Sequence, residues 1–169
     1  ATLDLPQTVG AEVASGTWLN EATEQYPAAV LGADAARLLG VGPGMQVWLG
    51  GEWFTVVGVL EPAALAPELD SAALIGWPVA ERLLDFDGHP TAVYERSPDE
   101  SVDAVAAVLA ATANPENPDE VTVSRPSDAL AAKAAADSAF TGLLLGLGAV
   151  ALLVGGVGVA NTMVIAVLE

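Results

Sequence analysis

The sequence has no cysteine in 169 residues. That excludes a disulfide framework, a thiolate metal site and a thiol nucleophile, and it leaves the compartment open. Histidine is almost as scarce: His89, in Asp87-Gly88-His89-Pro90, has no second histidine to join it. A zinc site would have to be built from carboxylates, so His89 reads as a solvated loop residue. Basic residues are few, five against 22 acids. All but one of the acids precede residue 138, so this part carries about sixteen net negative charges, and nucleic acid and anionic head groups are poor partners for it. Gly-x-Ser-x-Gly and the Asp-x-Asp-x-Asp-Gly calcium spacing are both missing. Asp85 and Asp87 form a close acid pair, but without an aromatic cleft they do not make a glycosidase pair. No catalytic and no metal-binding residue is expected.

Charge itself is missing from Ser138 to Leu168. As a helix this run measures roughly 45 Å against a hydrocarbon core of about 30 Å, enough to span a bilayer. Arg125 and Lys133 are the only basic residues near its N-terminal flank. By the positive-inside rule that flank is non-cytoplasmic. The first residues, Ala1-Thr2-Leu3-Asp4-Leu5, lack the basic start and apolar stretch of a signal peptide, so an export signal is expected upstream.

Within the uncharged run Gly148, Ala151, Gly155, Gly158 and Thr162 recur at steps of three and four, which aligns them on one helix face. In lipid such a face lets a second backbone approach closely, so it predicts a helix–helix contact. The alternative is that glycine and alanine are simply common in this chain, although glycine inside a helix is costly unless something uses it. Gly146-Leu147-Gly148-Ala149-Val150-Ala151 matches the G-x-G-x-x-A form of a dinucleotide loop. Its context argues against that use, since a crossover helix shows a polar face and a second strand follows it.

The part before the run is long enough for one domain or two small ones. Residues 1–27 are polar and irregular, with a short strand expected at 12–14. Residues 28–32 read as a buried strand and 34–39 as a short helix with Ala35, Leu38 and Leu39 inward. Runs at 46–49 and 53–60, joined by Gly50-Gly51, predict a hairpin. A strand at 72–75 and a helix at 78–84 with Pro78 in its first turn follow. Strand 91–96, helix 100–113 and strand 121–124 compose a βαβ unit of the ferredoxin-like kind, which normally needs a second such unit to complete its sheet. Ser127 predicts an N-cap, with Asp128 in the first turn of a helix that runs directly into the apolar segment. Trp18, Trp48, Trp53 and Trp77 each sit beside a predicted strand or turn, where packing explains them better than ligand binding.

Ala28-Ala-Val-Leu-Gly-Ala-Asp-Ala-Ala-Arg-Leu-Leu-Gly40, then Gly44-Met-Gln-Val-Trp-Leu-Gly-Gly and Phe54-Thr-Val-Val-Gly-Val-Leu60, resembles the extracytoplasmic domain of MacB-type permeases, the FtsX-like class of ABC transporter membrane subunits. The final stretch from Leu152 through Asn161-Thr162-Met163 to Glu169 resembles the second membrane helix of the same family. The resemblance implies an α+β fold: a strand-rich extracytoplasmic part at 1–90, a porter-like βαβ unit at 91–126, and a stalk with transmembrane helix at 127–169. The first membrane helix, the first βαβ unit, the last two membrane helices and the ATP-binding domain of such a permease are not in this sequence. It further implies a non-enzymatic permease subunit in the cell membrane, with residues 1 to about 137 outside the cytoplasm. ATP would bind a separate ATPase domain or subunit, and this chain would hold no cofactor. The implied partners are an ATP-binding cassette subunit, a second permease copy, the lipid bilayer and an extracytoplasmic protein or substrate. Export or mechanotransmission is the expected role; the alternative is an FtsX-like regulator of a partner such as a cell-wall hydrolase.

Overall fold

The computed structural model describes residues 1–98 and 100–168; the side chains of Leu130, residues 160–162 and residues 164–168 lie outside the described set. The chain divides into two compact units, Ala1–Ser124 and Arg125–Glu169.

The first unit is built on strand β2 (Ala28–Leu31), whose four apolar residues are all buried. A strand lined on both faces must lie inside a sheet, and it does: β2 pairs in parallel with β4 (Glu52–Leu60) and antiparallel with β5 (Ala73–Ile75). β1 (Val13–Gly16) and β3 (Gln46–Leu49) both pair antiparallel with β4, completing a five-stranded mixed sheet of order β1-β4-β2-β5 with β3 on β4. Gly50 and Gly51, at φ 57° and 96°, supply the left-handed turn of the β3–β4 hairpin that the sequence predicts.

Alternation along these strands feeds two cores. Val30, Ala28 and Leu60 join Val9, Leu19 and Leu69 on one side. Ala29, Leu31, Phe54 and Val56 join Val47, Val79 and the alanines of α2 (Ala33–Leu39) on the other. Fully burying side chains such as Phe54 and Leu31 contributes about 1.5–3 kcal/mol each. Gly32, between β2 and α2, lies so close to the carbonyls of Leu69 and Asp70 that a Cβ there would collide with backbone.

Helix α1 (Leu5–Val9) occupies a stretch expected to be irregular; Gly10 ends it in the left-handed region at φ 66°. α2 departs from expectation in orientation. Ala35 and Ala36 are buried, whereas Leu38 and Leu39 are 79% and 57% exposed. The small alanines let α2 sit close on β4 and the turn Pro67–Ser71, while Leu38 and Leu39 lie in its last turn, where Gly40 ends the helix. α3 (Trp77–Leu83) carries Pro78 in its first turn, as the sequence predicts, and buries Val79.

Of the βαβ unit only its helix forms as regular structure. α4 (Val102–Ala113) half-buries Val102, Val105 and Leu109 at helical spacing, while Val108 is 56% exposed. Residues 91–96 and 121–124 are not strands, and the physical reason is the absence of a ladder: neither pairs with the other or with the sheet among the described residues. Residues 94–96 are instead tied down by side chains. The Tyr94 hydroxyl donates to Glu68 Oε1 at 2.5 Å, and Arg96 Nε donates to the carbonyl of Thr8 at 2.8 Å.

The second unit is a single helix, α5 (Pro126–Leu168). It begins one residue before the expected cap, with Pro126 in the position where a missing N–H costs nothing, so Ser127 is already helical. Asp128 sits in the first turn as expected; its carboxylate lies 3.3 Å from Arg125 Nε and its N–H donates to the Arg125 carbonyl. The architecture is therefore α+β with a long apolar C-terminal helix.

Candidate functional site

α5 spans 43 residues, about 65 Å at the usual rise, without a break. From Ser138 on it is apolar on every side, and Phe140, Leu143, Leu144, Leu147, Val150 and Leu153 are all more than 60% exposed. A helix apolar all round belongs inside a large core or a bilayer. This one meets the length and composition needed to cross a membrane over Pro126–Val159, and none of the apolar 18-residue stretch that qualifies it is buried in protein. At its entry the Thr141 hydroxyl donates to the Asp137 carbonyl at 2.9 Å, so that polar group is satisfied within the helix.

At 3.6 residues per turn Gly148, Ala151, Gly155, Gly158 and Thr162 fall within an arc of roughly 80°. A Cβ added at Gly148 or Gly155 would meet nothing within 4 Å, so the backbone is open there to a neighbour. Thr162 is helical, but its side chain lies outside the described residues. Gly146 to Ala151 stands wholly inside α5, with no strand before it and no loop, so the G-x-G-x-x-A match has none of the geometry that cradles a pyrophosphate.

On the first unit the sequence candidates separate. His89 is exposed, its N–H donating to Asp87 Oδ1 at 2.9 Å and its Nδ1 3.6 Å from the same oxygen. The His89 backbone N–H holds the Asp87 carboxyl below its usual range against an opposing desolvation, with the imidazole adding to the lowering. Asp85 stands in a left-handed turn at φ 51°. No group of three or more histidine or acidic side chains is placed to hold a metal ion among the described residues.

The four tryptophans differ. Trp18 packs against the first core and donates from Nε1 to the Leu3 carbonyl at 2.9 Å. Trp77 donates to Glu81 at 3.0 Å and meets Phe86 edge to face. Trp48 and Trp53 depart from the expected packing role: they are 57% and 56% exposed, paired across the hairpin with ring centroids 5.1 Å apart. Packing was the wrong expectation because their neighbours Val47 and Phe54 take the inward positions, and alternation sends both indoles outward.

A cleft of about 560 Å³ runs beside β5, lined by Leu5, Leu74, Ile75, Trp77, Phe86 and Tyr94 among others. Tyr94 and its contact with Glu68 are what sequence reasoning missed here; nothing in the local pattern of either residue signals the other. Burial first, then the Glu68 hydrogen bond and charge, push the Tyr94 phenol up to about 12.

No curated protein and no solved structure matches the chain. Residues 1–122 match the family model of the MacB-like periplasmic core domain, covering nearly all of the first unit and stopping short of α5. The chain therefore belongs to the MacB-like periplasmic core domain family of MacB/FtsX-like ABC transporter permeases.

Proposed function

We propose that this chain is part of a permease subunit that works as a dimer and couples ATP hydrolysis in the cytoplasm to substrate export or a mechanical signal outside. The observation that carries the reading is the unbroken course of α5 from Pro126, through the alanine-rich turns, into the uncharged run. A continuous helix transmits displacement along its axis because every turn is hydrogen-bonded to the next. ATP binds a separate cassette domain or subunit, which moves the membrane helices. The arc of Gly148, Ala151, Gly155, Gly158 and Thr162 packs against another membrane helix. The sparse basic flank, Arg125 and Lys133, supports an extracytoplasmic first unit in the cell membrane.

Inserting two glycines after Ala134 in the complete permease, assembled with its ATPase, tests the coupling. Spin labels on the first unit should change separation on ATP binding in the parent and lose that change in the insertion variant, while ATP turnover persists. An undiminished distance change in the insertion variant would refute the stalk mechanism.

A second reading is an FtsX-like regulator whose outer unit binds a protein such as a cell-wall hydrolase. The exposed Trp48–Trp53 pair favours it, because paired indoles in water are the kind of surface that protein interfaces cover.

A further inference from the structure

The β3–β4 hairpin is packed on one face and bare on the other. Val47, Phe54 and Val56 turn inward and are at most 6% exposed, while Trp48 and Trp53 stand outward in directly opposed register. Their edge-to-face contact leaves most of the indole surface uncovered by the pair itself. Glu52, next in the chain to Trp53, is exposed as well.

Charge selects what can cover this face. From Ala1 to Ser124 nineteen carboxylates stand against three guanidiniums. Each guanidinium is engaged within the unit: Arg37 with Asp34 at 2.7 Å, Arg82 with the Gln25 carbonyl at 2.8 Å, and Arg96 with the Thr8 carbonyl at 2.8 Å. A second copy of this unit brings the same negative field, and so does an anionic lipid surface, so charge draws neither onto this face. An arginine or lysine side chain is attracted twice, by the net negative charge of the unit with Glu52 beside the pair, and by the negative face of an indole within about 6 Å.

We infer that the outward face of the β3–β4 hairpin docks an arginine- or lysine-bearing segment of a protein partner, with Trp48 and Trp53 receiving the cation and Glu52 beside them. This deepens the partner-binding reading and rests on it only for the compartment in which the partner resides.

The test uses the full chain in neutral detergent and a fluorescent hexa-arginine peptide, followed by anisotropy. The double variant Trp48→Ala/Trp53→Ala should weaken binding by about tenfold, the scale of a cation–π contact. Trp48→Phe/Trp53→Phe should restore most of it, and a matching thermal melt shows that the fold survives. Glu116→Gln with Asp119→Asn, which lowers the charge in the loop after α4, should change binding by less than about threefold, as exposed single charges do. Equal peptide binding in the alanine variant would overturn the inference, since the peptide would then read net charge alone. It would also be overturned if the alanine variant lost self-association, or lost binding to phosphatidylglycerol vesicles, with peptide affinity unmoved. None of these outcomes depends on ATP coupling, so the permease reading stands or falls separately.

Discussion

Tyr94 reaches back 26 positions to Glu68, its hydroxyl donating to the carboxylate at 2.5 Å, and so fastens residues 90–94 beside the cleft at β5. A phenol raised to about 12 in the fold, from an ordinary value of 10, favours the folded state fully below pH 10 and loses that contribution as the pH rises through 12. Near-ultraviolet titration should show a tyrosinate step near pH 12 that Tyr94→Phe removes. A step that persists in the variant would assign the shift elsewhere.

Leu38 on α2 and Phe54 on β4 give opposite expectations. Ala36 is buried and Leu38 is 79% exposed. Leu38→Ala should change stability by less than about 0.5 kcal/mol, whereas Phe54→Ala, at a fully buried position, should cost about 3–5 kcal/mol. Denaturant unfolding of the full chain in detergent measures both. A large loss from Leu38→Ala would restore the inward orientation that periodicity suggests.

Gly32 has no room for a side chain, because the nearest groups are the backbone carbonyls of Leu69 and Asp70. Gly32→Ala should therefore destabilise the first unit by about 1–3 kcal/mol or more, the range for overpacking against groups that cannot swing away. Gly42→Ala, at a site with nothing within 4 Å, is the control and should leave the melting transition nearly in place.

On α5 the small-residue arc and its opposite side can be told apart. Gly155→Leu fills the arc; Leu153, close to the far side by helical geometry, is 68% exposed. Energy transfer between labelled copies in lipid should fall with Gly155→Leu and hold with Leu153→Phe. If both substitutions act alike, the arc is not the packing face.

The sequence made some of this fold legible for identifiable reasons. Strand β2 is a continuous apolar run, the β3–β4 hairpin is punctuated by Gly50-Gly51, and α3 carries a proline in its first turn; each signal is local and each survives folding. Residues 91–96 and 121–124 have the composition of strands, but a strand exists only with a ladder partner, and composition does not supply one. The outward turn of Leu38 and Leu39 depends on where the sheet surface ends, which helical periodicity does not contain. The Trp48–Trp53 pair was within reach: a two-residue turn fixes the register, and counting outward from Gly50-Gly51 sets the two indoles opposite each other.

The placement of α5 in lipid, with the first unit outside, is open to direct chemical measurement: these 169 residues hold no cysteine to compete with an introduced one, and any cysteine in the rest of the complete permease is first replaced by serine. Single substitutions Ser15→Cys and Leu152→Cys in the complete permease can be exposed to a membrane-impermeant maleimide on intact cells. Ser15→Cys should label readily and Leu152→Cys should stay unlabelled even after the cells are opened. Equal labelling at both positions, or labelling of Ser15→Cys only after lysis, would contradict the account.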